Sequence, residues 1–208
     1  MKDQDKKKRI PFEPANYLAP LPVCLLSTAA KDGPPNIMTV AWNGTVNSRP
    51  PMISVSVTKE RYSHALLMDS KEFCLNVPDL SLAKATDYCG VKSFREVDKF
   101  KELSLTPELI EPLQYAPSIK EAPISLACKL HEVVELGSHD LFIGEIVGVR
   151  IWESLFDKKG ALHLEDAGLI AYVHGEYFSL GDWLGFFGWS VARPEVLRKR
   201  QKEAKKRP

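Results

Sequence analysis

Residues 124–154, ISLACKLHEVVELGSHDLFIGEIVGVRIWES, decide the fold. Two long apolar-rich runs meet at Gly137-Ser138, and runs joined by a glycine-containing turn predict a β-hairpin. In the second arm Leu141, Ile143, Val147, Val149 and Ile151 share one face, interrupted by Glu145. Gly144 and Gly148 fall together on the other face, where missing side chains admit a close backbone or ligand.

Upstream, residues 21–57 alternate short apolar runs with turn residues: PVCLLST, KDGPPN, IMTVAW, NGTVNSRPP and MISVSV. This punctuation predicts antiparallel strands of about six residues. MISVSV has period two, with Ile53, Val55 and Val57 on an apolar face and Met52, Ser54 and Ser56 on a face suited to ligand or solvent. YSHALLMDS predicts a helix with Ser63 as N-cap, and EFCLNV a strand. SLAKATDYCG predicts a short helix opened by Ser81 and closed by Gly90 at C′. KSFREVDKFKELSL and the segment through Pro107, Pro112, Pro117 and Pro123 read as a surface lobe. LIAYVHG and EYFSLG are further strands, followed by the aromatic run WLGFFGW. Short strands around two small helices predict a mainly-β barrel. No G-x-G-x-x-G, G-x-x-x-x-G-K-[ST] or G-x-S-x-G occurs, which disfavours a doubly wound nucleotide-binding fold and a hydrolase elbow.

The 208 residues are 44% hydrophobic and 26% charged, enough for a full core without disulfide or metal staples. No apolar run reaches the roughly 18–20 residues of a membrane span, and MKDQDKKKRIPFEP has no apolar segment behind its charges. A cytoplasmic protein without membrane attachment is the expectation. Cys24, Cys74, Cys89 and Cys128 show no C-x-x-C or Cys/His ligand spacing, so they read as reduced core thiols and no metal site is expected. Residues 1–9 carry five basic and two acidic side chains, residues 193–208 eight and two, leaving 15 basic and 23 acidic in between. An acidic body with basic ends argues against a nucleic-acid-binding domain. The tail RKRQKEAKKRP is either a solvated terminus or a contact for RNA or anionic lipid.

The chemistry concentrates at Ser56-Val57-Thr58-Lys59-Glu60-Arg61-Tyr62-Ser63-His64. Hydroxyls and cations gather there at a helix start, where unpaired N–H groups favour an anion. Arg61 can grip a phosphate bidentately, with Thr58 and Ser63 adding hydroxyl bonds; a capped surface helix is the equal alternative. Of the five histidines, His139 beside the hairpin turn is the one placed to meet a ligand or deliver a proton near neutrality. Trp42, Trp152, Tyr172 and Tyr177 serve either as core or as stacking surfaces for a planar group.

In their order along roughly residues 17–181, these segments resemble the flavin reductase family, in its flavoredoxin-like branch, whose fold is the FMN-binding split β-barrel. The stretches carrying the resemblance are PLPVCLLSTAAKDGPPNIMTVAW, Pro50-Pro51 with ISVSV, RYSHALLMDSKEFCLNVP, DYCG with SFREVDKF, APISLACKLHEVVELGSHDLFIGEIVGV and LIAYVHGEYFSLG. The resemblance implies a homodimer with one non-covalent FMN per subunit near the interface, NAD(P)H as co-substrate or a protein electron donor, and redox chemistry supplied by the flavin. Residue by residue, it implies a phosphate site at Thr58, Arg61 and Ser63 with Lys59 as a weaker member. Asn36 and Thr39-Val40-Ala41-Trp42 match the strand along the isoalloxazine ring; many relatives have Ser where this chain has Ala41. Cys89-Gly90 match a loop near the flavin, Lys99 a lysine reaching the cofactor, His139 a histidine near the ring, and Tyr172 and Tyr177 neighbouring aromatics.

The expected organisation is a basic arm at 1–15, a flavin-binding domain at 16–182 and an aromatic, basic extension at 183–208. Trp183, Phe186, Phe187 and Trp189 in that extension are expected to pack across a dimer or cap the flavin. Three functions compete: an NAD(P)H-dependent FMN reductase, a flavoredoxin-type carrier with a protein partner such as a ferredoxin, and a non-redox module whose tail engages nucleic acid.

Overall fold

The computed structural model describes residues 8–204; residues 1–7 of the basic arm and 205–208 of the basic tail lie outside them. In chain order the strands are β1 (Leu21–Pro22), β2 (Cys24–Ala29), β3 (Pro35–Val40), β4 (Asn43–Ser48), β5 (Pro51–Thr58), β6 (Glu72–Val77), β7 (Pro107–Glu108), β8 (Ser118–Ile119), β9 (Ile124–Glu135), β10 (His139–Ile151), β11 (Ile170–Val173) and β12 (Glu176–Ser179). The helices are α1 (Tyr62–Ser70), α2 (Ala83–Val91), α3 (Lys99–Glu102) and α4 (Pro194–Ala204).

Seven strands form one sheet in the order β3-β2-β6-β9-β10-β5-β4. Its edge strands, β3 and β4, are consecutive in sequence and joined by Ala41-Trp42 alone, so the sheet must curl until its edges meet. There the Ser56 N–H donates to the Trp42 carbonyl at 2.9 Å. This is the expected mainly-β split barrel. A second sheet, β1-β11-β12, lies beside the split.

The predicted hairpin is β9–β10, and β5 follows its period-two pattern: Ile53, Val55 and Val57 are 6%, 0% and 1% exposed, whereas Met52, Ser54 and Ser56 are half-buried. Inside the barrel Val55 and Val57 meet Leu26, Phe73, Leu75 and Phe142. Burying a side chain of this size contributes about 1.5–3 kcal/mol. On β10 the core side is the one opposite Leu141 and Ile143: Phe142, paired with Val55, points inward while Leu141 and Ile143 are half-buried on the outside. Both faces of this arm are apolar, so the pattern alone cannot choose; register against β5 does. The two glycines are also separated. Bulges fall between Ile143/Gly144 and Ile146/Gly148, leaving Gly144 against Phe73 and Gly148 against Ile110. Protein atoms, rather than a ligand, fill both approaches.

Other local expectations change for similar reasons. NGTVNS is strand β4 rather than a turn. Arg61 is the N-cap position of α1, and Ser63 is buried within the helix. Asp79, whose carboxylate accepts from Leu82 N–H, caps the turn before α2, and Gly90 lies inside that helix, which ends at Val91. The proline-rich segment is a packed cover, with Ile110, Ala116 and Ile119 at most 1% exposed. Prolines limit it to the two-residue β7–β8 ladder, so buried side chains satisfy more of its backbone: Gln114 and Tyr115 N–H donate to the Glu72 carboxylate at 2.9 Å, and Ile119 N–H donates to Asn76 Oδ1 at 2.8 Å.

The aromatic extension lies open, with Phe187 and Leu184 105% and 85% exposed. Its internal contact is Arg200 over the Phe186 ring at 5.7 Å, and none of Trp183, Phe186, Phe187 or Trp189 lines the cleft described next.

Candidate functional site

At the split in the barrel lies a cleft of about 380 Å³, within the ~300–1,000 Å³ usual for cofactor-sized ligands. One wall is the end of β3 and its connection, Thr39-Val40-Ala41-Trp42; Ser56, Thr58 and Arg61 form the end at α1. Asp87, Gly90 and Val91 come from α2, and Tyr172, Gly175 and Tyr177 from the small sheet. Tyr172 and Tyr177 meet edge to face, 5.4 Å between centroids. Burial, reinforced by nearby Asp87, pushes the Tyr177 hydroxyl above its ordinary pKa.

Arg61 brings a positive charge to the cleft. Its Nη1 donates to Gly90 O at 3.4 Å, and among the described residues no carboxylate forms an ion pair with it. The N-terminus of α1 adds its positive dipole end beside Arg61, although the His64 N–H of that first turn already donates to Arg61 O at 2.9 Å. Arg61 also borders a second, smaller cavity of about 30 Å³, which holds Asn36, Ser63 and Lys99. There Asn36 Nδ2 donates to Ser63 Oγ at 2.9 Å, while Asn36 Oδ1 is buried without a partner among the described residues.

The residues singled out from the sequence therefore divide. Thr39, Val40, Ala41, Trp42, Thr58, Arg61, Gly90, Tyr172 and Tyr177 line the cleft together. Ser63 and Asn36 sit one layer behind it. His139 stands at its rim, its ring 4.6 Å from that of Trp42, and Ser138 Oγ lies 3.0 Å from its Nδ1. Thr39 Oγ1 donates to the Thr86 carbonyl, so that hydroxyl ties β3 to α2 instead of replacing a serine at Ala41.

Three residues do not line the cleft, Lys99 among them bordering the smaller cavity with Asn36 and Ser63. Lys59 turns to Glu135 and Asp140, at 3.1 and 3.4 Å. Lys99 is 3% exposed, and its ammonium donates to Ile37 O at 2.6 Å and Cys89 O at 3.1 Å, clamping β3 to α2; burial lowers its pKa. Cys89 is a buried thiol pushed up to about 11 by burial. A helix start rich in cations does not reveal which of them is already paired, because the partners lie far along the chain.

Asp87 is the charged cleft residue that sequence reasoning missed, along with the uncharged Val23, Met38, Val91 and Gly175. With Gly90 and Val91 it forms an i, i+3, i+4 face of α2, a spacing that would have placed it beside Gly90. Also missed was the hydrogen bond between His64 Nε2 and Asp140 Oδ2, 2.7 Å apart. Among the described residues no group of three or more His, Cys, Asp and Glu is placed to hold a metal ion.

Comparison with known proteins agrees with this geometry. The family model described as a flavin reductase like domain matches residues 17–181. An uncharacterised protein of Archaeoglobus fulgidus is 35% identical over 144 residues, covering 69% of this chain and 79% of its own. Flavoredoxin of Desulfovibrio vulgaris is 30% identical with a TM-score of 0.80, over 86% of this chain and 97% of that one. An FMN-binding protein from Thermus thermophilus, solved with bound 1-cyclohex-2-enone, is 25% identical with a TM-score of 0.71, over 86% and 97%.

Proposed function

Because the chain belongs to the flavin reductase-like family of oxidoreductases, we propose that it binds FMN non-covalently in the cleft and draws electrons from NAD(P)H. The observation carrying this reading is the cleft itself: an aromatic-walled slot that ends at Arg61, a cation with no ion-pair partner among the described residues. Arg61, Thr58 and the first turn of α1 would hold the phosphate. The β3 end, with its backbone groups at Thr39–Trp42, would lie along the ring, and Tyr172 and Tyr177 would shield it from water. The buried, unpartnered Asn36 Oδ1 behind Arg61 marks a place where a polar contact remains to be made. A bound flavin supplies the redox chemistry; the chain supplies orientation and electrostatics. His139, held against Trp42 at the rim, is positioned to move a proton at the exposed edge of the slot.

The test is a visible absorption spectrum, followed by anaerobic addition of NADH and NADPH. A flavin spectrum bleached by either nucleotide supports the reductase reading, and absence of flavin after reconstitution overturns it. The likeness to flavoredoxin favours a second reading, an electron carrier with a protein donor such as ferredoxin; bleaching by dithionite or reduced ferredoxin alone would select it.

A homodimer completes the proposal. Its support is the half-buried outer face of Ser54, Ser56, Leu141 and Ile143, bordered by Leu18, Trp42 and Val46 at 79%, 42% and 51% exposure. Sedimentation at micromolar concentration would show a monomer if that face has another partner. Four free thiols suit a reducing compartment such as the cytoplasm. Among the described residues no helix is long and apolar enough to cross a membrane.

A further inference from the structure

We propose that Asp140 is a positioning residue that aims Arg61 at the cofactor phosphate by bracing the β5–α1 turn on both sides. The proposal rests on the reading that FMN occupies the cleft with its phosphate at Arg61.

Asp140 is 4% exposed on β10, opposite Val57 of β5. Its Oδ2 lies 2.7 Å from His64 Nε2; its Oδ1, buried without a hydrogen-bond partner among the described residues, faces the Lys59 ammonium as an ion pair at 3.4 Å. Lys59 precedes Arg61 by two residues and His64 follows it by three, so one carboxylate holds the turn before and after the cation. The backbone transmits that hold: Arg61 N–H donates to Thr58 O at 3.1 Å, and His64 N–H donates to Arg61 O at 2.9 Å. Phe142 fixes the other side of the His64 ring, edge-on at 5.1 Å. Asp140 also directly follows His139, so the residue bracing the anion end fixes the strand start carrying the rim histidine.

Charge alone would make this aspartate a poor neighbour for a phosphate. A carboxylate repels an anion, and here it also withdraws Lys59 from the cleft, together with Glu135 at 3.1 Å. The hydrogen bond with His64, followed by Lys59, holds the Asp140 carboxyl below its ordinary pKa, so it is charged at neutral pH. Its contribution to anion binding is therefore geometric. This separates two opposite results: an electrostatic role predicts tighter FMN binding once the charge is removed, and a positioning role predicts weaker binding once the brace is removed.

The experiment measures dissociation constants of FMN and of riboflavin, which lacks the phosphate, for the full chain and for Asp140→Ala and Asp140→Asn, with thermal unfolding recorded for each. Loss of a charge-assisted brace predicts about tenfold weaker FMN binding in Asp140→Ala, with riboflavin unchanged. The isosteric Asp140→Asn, which keeps a bond to His64, is expected to recover most of that loss. Unchanged FMN affinity, equal weakening of both ligands, or tighter FMN binding in Asp140→Asn would overturn the proposal. If Asp140→Ala fails to fold, His64→Ala keeps the carboxylate and removes half the brace, and it must show the same FMN-selective loss. Wild-type protein that bound FMN no better than riboflavin would refute the phosphate placement itself, a result separate from any effect at Asp140.

Discussion

Arg61→Ala isolates the anion end of the cleft. In the protein alone, the side chain is exposed and makes a marginal 3.4 Å bond to Gly90 O, so removing it should change stability by no more than about 0.5 kcal/mol. With FMN bound, it would lose charge-assisted hydrogen bonds worth about 1.5–3 kcal/mol. Solvent exposure screens the pair and favours the lower end, a loss of about ten- to thirtyfold in FMN affinity. Flavin fluorescence titration at two salt concentrations reads this directly, because losing one phosphate contact also flattens the salt dependence. Burial first, and to a lesser extent the Arg61 charge, lower the pKa of Lys99, so the variant should also hold that lysine's proton somewhat more firmly. Unchanged FMN affinity with an unchanged salt slope would refute the placement, and a matching loss for riboflavin would mean that the guanidinium acts on the ring.

Three further outcomes follow from packing and titration. In Gly148→Ala the new Cβ would sit 2.8 Å from Ile110 Cγ2 and 2.9 Å from the Glu111 carbonyl; overpacking against backbone should cost about 1–3 kcal/mol by urea denaturation, and no loss would show that the proline-rich cover moves freely. Burial raises the Cys24 and Cys74 thiols to about 12, so the folded protein should resist a thiol-specific disulfide reagent at pH 8 and react fully after unfolding; fast labelling of native protein would contradict the buried placement. His163 has a raised pKa through hydrogen bonds to Glu165 and then Asp157. Its stabilising contribution is therefore complete below the ordinary value of 6.5 and lost as pH rises through the higher folded value. Amide exchange in residues 157–166 should speed up over that window beyond its intrinsic pH dependence, and His163→Gln should abolish the excess.

The sequence placed most of the cleft, because its markers are local. Residues 39–42 end a strand, Thr58 and Arg61 lie at a strand-to-helix junction, and Tyr172 and Tyr177 flank a tight turn. It did not reveal which cations were free. Lys59, read as a weaker member of the phosphate site, is paired 76 residues away with Glu135, and Lys99, read as reaching the cofactor, is bonded 62 residues away to Ile37. Asp140, whose partner His64 is 76 residues away, was silent for the same reason, whereas Asp87 carried a local signal in its i, i+3 spacing to Gly90.

Taken by itself, the sequence determined the strand periods, the long hairpin, the inward face of β5 and the order of segments that marks the family, since each follows from backbone alternation and turn chemistry within a few residues. Tertiary structure alone decided which face of β10 is core, since both faces are apolar and the register with β5 selects one. It likewise turned a proline-rich stretch into a packed cover, because its backbone groups are met by Glu72 and Asn76, 42 and 43 residues distant. Through-space partners of that kind leave no local pattern, and among the described residues they are what separate Arg61, which lines the cleft, from the lysines bonded elsewhere.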